Sequence, residues 1–373
     1  MDSTTTTKPL DTLFQPYKLG NLTLPNKLVM ASLTRIRCDP KTGIPTDLLA
    51  EYYSQRASAG LILTECSPIA HNGNSLLGAA AIYTQEQVEG WKKVTDAVHQ
   101  KGGRIYLQIW HAGRAADPKF VGGDTLSSSA IAIRSLRKNM PYAQPKEMTK
   151  EDIENVLEQF KQGALNAKAA GFDGIEAHGA NGYLIDQFLK DGVNQRTDEY
   201  GGSVENRCRF PLQVMDRLIE VFGAERVGIK LSPVGRFQDM YDSDPVALYT
   251  YFLKELDKRG VSYVQLMEPN EGYAGEIFYD SGDKQIAEVC KTFRPHFKGT
   301  IIINNNLTPE TAAKAISEGN ADLASFGKYF ISNPDFVERI KNNWPFNEWD
   351  YTTFSSGGEK GYTDYPFYKK TSS

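Results

Sequence analysis

Three residue types that can hold and protonate a carbonyl compound fall together in the run Glu176-Ala177-His178-Gly179-Ala180-Asn181-Gly182-Tyr183. The imidazole of His178 and the carboxamide of Asn181 both offer N–H donors. Two donors converging on one oxygen polarise a carbonyl and stabilise a developing enolate. The phenol of Tyr183 can then deliver a proton to the adjacent carbon. A lone histidine is more often a core group bonded to a nearby carbonyl, by roughly two to one. Asparagine and tyrosine following it on a glycine-flanked segment reverse that weighting.

Other chemistries find less support. The five histidines show no H-E-x-x-H spacing and no compact ligand cluster, so a metal site is not expected. No G-x-S-x-G elbow is present. Cys66 is either a reactive thiol or a small buried hydrophobe. Lys230 and Lys328 admit a Schiff-base reading, which predicts trapping of a carbonyl substrate by borohydride.

These residues need a scaffold, and the chain supplies a recurring one. Short apolar runs occupy 28–33, 61–66, 104–110, 174–178, 227–231, 263–267, 300–304 and 323–327. Helical patterns lie between or after them at 85–100, 150–170, 204–222, 245–259, 309–318 and 334–342. In 150–170, Ile153, Val156, Leu157, Phe160, Ala164 and Ala167 form one apolar stripe. Thr149 and Asp152 read as a capping box, and Pro309 and Pro334 as first-turn prolines. Alternating strand and helix implies a parallel sheet, and runs such as Ile301-Ile302-Ile303 suit strands covered on both faces. Eight such units predict an α/β fold, a single (β/α)8 TIM barrel. An open doubly wound sheet is the rival, weakened by the absence of any G-x-G-x-x-G.

A hairpin over 14–19 and 22–24, turning at Gly20-Asn21, precedes the barrel. Residues 1–10 read as a polar, disordered tail and 11–373 as one domain. The long loops 115–146 and 269–284 read as lids or active-site walls. Barrel enzymes place their chemistry at strand C-termini. Besides the strand-four cluster, that selects Ser32, Leu33, Thr34, Cys66, Gln108, Trp110, His111, Lys230, Asn304, Asn305, Asn306, Gly327 and Lys328. The loops after strands seven and eight are where barrels bind phosphate, and Lys328 would add a point charge there. A plain surface lysine is the alternative.

A net charge of −4 with basic residues scattered among acids argues against nucleic acid or an anionic membrane as partner. No long apolar span occurs, the N-terminal tail lacks an apolar signal core, and four widely spaced cysteines offer no disulfide framework. A cytoplasmic protein is expected.

From residue 14 to 367 the chain resembles the Old Yellow Enzyme family of flavoproteins, which includes plant 12-oxophytodienoate reductases. The most specific stretch is Gly171-Phe-Asp-Gly-Ile-Glu-Ala-His-Gly-Ala-Asn-Gly-Tyr-Leu-Ile-Asp-Gln-Phe-Leu189, continuing through Asn194-Gln-Arg-Thr-Asp-Glu-Tyr-Gly-Gly-Ser-Val-Glu-Asn-Arg207. Leu33-Thr34-Arg35, Gln108-Ile-Trp-His111, Leu231-Ser-Pro233, Phe330-Ile-Ser-Asn-Pro-Asp335 and Gly361-Tyr-Thr-Asp-Tyr-Pro366 support it.

The resemblance implies non-covalent FMN at the barrel mouth and an NADPH-dependent ene reductase acting on activated alkenes, monomeric or homodimeric. Thr34 would bond the flavin C4 carbonyl and Gln108 the pyrimidine edge. Ser32, Leu33, Cys66, Lys230, Asn304, Asn305, Asn306, Gly327 and Lys328 would complete the cofactor contacts. His178 and Asn181 would hold the substrate carbonyl beside Trp110, and Tyr183 would protonate the α-carbon after hydride transfer from flavin N5. A flavin-binding sensor or isomerase is the non-reductase alternative.

This chain departs from the family pattern at several positions. Lys230 and Lys328 stand for common arginines, Asn304-Asn305-Asn306 for glycines, and Ser32 for a proline. Thr353-Phe354-Ser355 occupies the region of a frequent active-site tyrosine. Asparagine tolerates the left-handed backbone, so a backbone anion nest is still expected at Asn304–Asn306.

Overall fold

The computed structural model describes residues 9–134, 136–137, 140–269, 286–355 and 357–369. Eight parallel strands close into a barrel: Leu28–Met30, Leu61–Pro68, Ile105–Trp110, Gly174–Gly179, Val227–Leu231, Tyr263–Met267, Thr300–Asn304 and Leu323–Phe326. They are strands one to eight below. Closure is by strand eight on strand one, with Ala324 opposite Leu28 and Phe326 opposite Met30. Strands two, three and four are buried at every position, so their sequences carry no alternation. Strand one is shorter than its apolar run. Its ladder continues only through Ala31 N–H to the Phe326 carbonyl, after which the chain turns into the loop.

The N-terminal end of the barrel is plugged. Val29, Leu61, Leu63, Tyr106, Tyr263, Ile302 and Leu323 share a buried cluster with Leu19 and Leu24 of the hairpin Tyr17–Leu19/Leu22–Leu24. The hairpin turn requires Gly20. Its φ is +55°, and a Cβ there would lie 2.3 Å from the Glu225 carbonyl oxygen. Polar chemistry is thereby left to the opposite end.

Helices Gln85–Gln100, Val204–Phe222 and Pro245–Arg259 form where the periodicity places them. Lys150–Ala169 begins with the expected capping box: Asp152 N–H donates to Thr149 Oγ1 at 3.1 Å, and Thr149 N–H to Asp152 at 2.8 Å. Pro309 opens the helix Pro309–Ser317. Pro334 does not open one. The helix there is Phe336–Asn342, and Asp335 before it spends its carboxylate on Arg339 at 2.6 Å and on Tyr368 N–H.

The sequence reading missed the helices Asp47–Gln55, Leu184–Leu189, Val289–Phe293 and Lys328–Ser332. Leu184–Leu189 is buried on every side, including Asp186 and Gln187, so it has no amphipathic stripe to read.

Of the expected tail, residues 1–8 lie outside the described residues. Pro9 and Leu10 already belong to a 3-10 helix, Pro9–Phe14, in which Leu10 packs on the core. Loop 115–146 carries a short helix, Pro118–Val121, and the pairing of Leu126–Ser127 with Lys146–Glu147. Most of the loop after strand six lies outside the described residues. Among the described residues no helix is long and apolar enough to cross a membrane.

Candidate active site

The end of strand four turns sharply. Asn181 and Gly182 take φ of +59° and +75°, and Tyr183 then caps Leu184–Leu189. Asparagine visits this region at modest cost. At Gly182 a Cβ would lie 2.9 Å from the Gln238 side chain and 3.0 Å from the Phe237 carbonyl, so glycine is required.

A buried polar frame holds the turn. Asn181 N–H donates to Ser232 Oγ at 3.0 Å, and Gly182 N–H to Asp186 Oδ2 at 2.9 Å. Gln187 Nε2 donates to the carbonyls of Gly182 and Ala112. Lys190 lies 3.4 Å from Asp186 and donates to the Ser232 carbonyl at 2.8 Å. Burial pushes the Asp186 carboxyl up from its ordinary range, and Lys190 opposes that. The turn is thus rigid before anything binds.

Tyr183 packs edge-on against two rings. Its centroid is 4.5 Å from Trp110 and 4.9 Å from His178. His178 is 6% exposed. Burial, reinforced by the charge of Lys230, pulls its pKa well below the usual imidazole value, so the ring is neutral at physiological pH. Among the described residues His178 Nδ1 and Trp110 Nε1 are buried without a hydrogen-bond partner. Such atoms call for a ligand or water.

Beside the turn opens a cavity of ≈ 580 Å³. Of the sequence-predicted residues, Ser32, Leu33, Asn181, Lys230, Asn304, Asn305, Asn306, Gly327 and Lys328 line it. Thr34, Cys66, Gln108, Trp110, His178 and Tyr183 do not. They join the site through neighbours instead. Thr34 Oγ1 lies 3.2 Å from Cys66 Sγ, Gln108 Nε2 donates to Glu176 at 2.7 Å, and His178 sits opposite Lys230 in the strand register. Burial pushes the Cys66 thiol up to about 12, so it is a neutral packing group and not a reactive thiolate.

Asn305 and Asn306 take φ of +86° and +52°, the left-handed geometry expected of them. Asn305 Nδ2 donates to the Glu268 carbonyl at 2.9 Å. Lys328 Nζ lies 4.4 Å over the Trp349 ring.

The wall formed by Tyr351, Phe354 and Ser355 was not foreseen as a unit. Phe354 and Ser355 stand where a tyrosine was missing from the sequence pattern, and Tyr351 returns a phenol to the cavity. Two buried arginines place this wall. Arg35 donates to the carbonyls of Phe354 and Gly361, both at 2.7 Å, and Arg37 to those of Thr353 at 2.6 Å and Phe354 at 3.0 Å. The signal lay in Leu33-Thr34-Arg35 and Gly361-Tyr-Thr-Asp-Tyr-Pro366, motifs far apart in sequence whose contact only the fold reveals.

His111 completes the frame. Its Nδ1 accepts from Gly113 N–H at 3.0 Å and its carbonyl from Leu184 N–H at 3.0 Å. Burial lowers its pKa to about 4. The unfolded chain therefore takes up this proton near pH 6.5 while the folded chain does not, and stability is lost as pH falls from there. At pH 4 the loss from this one ring is about 3 kcal/mol. Urea unfolding at pH 7 and pH 4 checks this: His111→Gln narrows the stability difference between the two pH values by about that amount, and an unchanged difference contradicts it.

The cavity's chemistry suits a flavin mononucleotide. Leu33, Met267, Leu307, Phe326 and Phe354 supply apolar surface for a planar ring, Asn304 to Asn306 and Lys328 polar groups for a phosphate tail, and Lys230 a cation for a ring that gains negative charge on reduction.

Comparison with known proteins agrees. Residues 12–347 match the model of the NADH:flavin oxidoreductase / NADH oxidase family. The chain is similar to 12-oxophytodienoate reductase 1 of Oryza sativa subsp. japonica, at 42% identity over 95% of this chain and 93% of the relative. It is equally similar to a probable flavin mononucleotide-dependent alkene reductase of Leishmania infantum, at 42% over 96% and 98%. Among solved structures, morphinone reductase in complex with tetrahydroNAD superposes with a TM-score of 0.87 at 40% identity, covering 96% of this chain and 98% of that one. An Old Yellow Enzyme homologue from Zymomonas mobilis gives 0.90 at 37%, covering 95% and 99%. The chain is a flavin oxidoreductase of the Old Yellow Enzyme type, belonging to the NADH:flavin oxidoreductase / NADH oxidase family.

Proposed function

We propose that this protein is a cytoplasmic NADPH-dependent ene reductase, monomeric or homodimeric, that saturates the C=C bond of α,β-unsaturated carbonyl or nitro compounds. The observation that carries this reading is a neutral, buried His178 whose Nδ1 has no partner among the described residues, 4.9 Å from the Tyr183 ring and three positions before Asn181 of the cavity wall.

FMN bound in the cavity would supply the hydride chemistry linking a reduced nicotinamide to the alkene β-carbon. Ser32, Leu33, Lys230, Asn304, Asn305, Asn306, Gly327 and Lys328 would hold it directly, with Thr34, Cys66 and Gln108 at its edge. His178 and Asn181 clamp the substrate oxygen. A neutral imidazole serves as a hydrogen-bond donor without giving up a full proton, and the rigid turn spares reorganisation as charge develops on that oxygen. Tyr183 donates its phenolic proton to the α-carbon, and Trp110 fixes its ring. The tetrahydroNAD bound by morphinone reductase supports a nicotinamide reductant.

The Schiff-base alternative gains one observation, since burial lowers the Lys230 pKa as an amine nucleophile needs. Glu176 opposes that shift, and family membership supports the flavin reading of the cavity over the lyase one. The two half-reactions described at the close of the Discussion test the proposal.

A further inference from the structure

Beneath the cavity a single carboxylate organises the polar interior of the barrel. Glu176 on strand four has no solvent exposure. Its Oε1 accepts from Gln108 Nε2 of strand three at 2.7 Å, and its Oε2 from Gln265 Nε2 of strand six at 2.8 Å. With both oxygens accepting, the site favours the ionised group; burial pushes the carboxyl up from its ordinary range, and Lys230 as countercharge opposes that.

The direction of every further bond follows from that. Because Gln265 spends its amide nitrogen on Glu176, its Oε1 must accept, and it does so from Ser325 Oγ at 2.6 Å. Ser325 Oγ in turn accepts from Asn304 Nδ2 at 2.8 Å. The chain Asn304, Ser325, Gln265, Glu176 links four strands, seven, eight, six and four, and its outer members Asn304 and Ser325 line the cavity together with Lys230. At the other end Gln108 is held with its nitrogen on Glu176, which makes its carbonyl oxygen the end turned away from that carboxylate. Carboxamides are ambiguous by themselves, and an ionised acceptor between two of them removes the ambiguity.

We propose that Glu176 is a positioning residue for the flavin: it fixes the donor and acceptor ends of Gln108 and Asn304 and offsets part of the Lys230 charge at the cofactor. This rests on the FMN reading above. A buried negative charge beside the cavity disfavours the electron-rich reduced cofactor, so Glu176 lowers the flavin potential. It also strengthens binding of both redox forms by presenting one fixed hydrogen-bonding pattern.

Two substitutions separate the roles. Glu176→Gln keeps the shape, removes the charge, and faces two amide nitrogens with a third. Glu176→Asp keeps the charge and draws it back from Gln108 and Gln265. FMN dissociation constants would be measured for wild type and both variants, alongside the two-electron potential of each holoenzyme by dye equilibration, with folding checked by thermal melts.

In Glu176→Gln, reduced FMN gains about 10-fold in affinity relative to oxidised FMN, a potential about 30 mV more positive for a two-electron couple. In Glu176→Asp the potential stays near wild type while oxidised FMN binds about 10-fold more weakly, as expected for the loss of roughly one net hydrogen bond. An unchanged potential in Glu176→Gln overturns the charge role, even if both redox forms bind equally less well. Wild-type affinity in Glu176→Asp overturns the orienting role, and that variant decides the proposal if Glu176→Gln does not fold. A wild-type protein that binds no FMN instead refutes the underlying function.

Discussion

Replacing Tyr183 by phenylalanine slows alkene reduction by about 10²–10⁴-fold, the usual worth of a positioned general acid, while reduction of the flavin by NADPH proceeds as in wild type. The geometry isolates the effect. The Tyr183 ring is wedged edge-on between Trp110 at 4.5 Å and His178 at 4.9 Å, contacts made by ring atoms that phenylalanine retains. Only the hydroxyl is lost. Hydride transfer from NADPH needs no proton from the protein, whereas saturating a C=C bond needs one at the α-carbon. Rapid-reaction measurement of the two half-reactions separates them. Undiminished alkene reduction in Tyr183→Phe removes Tyr183 as the proton donor.

The second large effect is expected from His178→Ala/Asn181→Ala. Removing one donor from an oxyanion site costs about 10²–10³-fold in rate, and here both go. Phenols, which ligate such a clamp through their oxygen, should no longer bind or give a long-wavelength charge-transfer band with the oxidised flavin. Alanine in the left-handed backbone of residue 181 costs about 1–2 kcal/mol. The frame below is untouched: Ser232 still accepts the residue 181 N–H, and Asp186 that of Gly182. Loss of binding therefore reports the side chains and not the turn. A retained band contradicts the clamp.

The fold was legible because barrel strands are apolar without alternation and are bounded by glycine, asparagine and proline. Seven of the eight runs become strands within about two residues of the expected ends, an ordinary boundary error. The first is cut short because the chain after Ala31 leaves the ladder to shape the cavity. Leu184–Leu189 was illegible because an element buried on all sides shows no periodicity.

The site was readable as residue types at strand ends, since three potential hydrogen-bonding groups on one turn stand out from a core. What could not be read is division of labour in space. Asn181 alone of the three lines the cavity, while His178 and Tyr183 meet through ring contacts. The carboxy-terminal wall depends on Arg35 and Arg37 reaching backbone carbonyls more than 300 positions away, and carbonyls carry no side-chain signature. Glu176 was visible as a strand residue, but its partners Gln108 and Gln265 come from two other strands, and the barrel register brings them together.

The central claim is tested most directly by the visible spectrum of the purified protein, reconstituted with FMN under anaerobic conditions. The account predicts a flavin band that bleaches on adding NADPH and returns when cyclohexenone is added, with saturated cyclohexanone as the product. No flavin band after reconstitution, or a bleached band that the enone fails to restore, contradicts it.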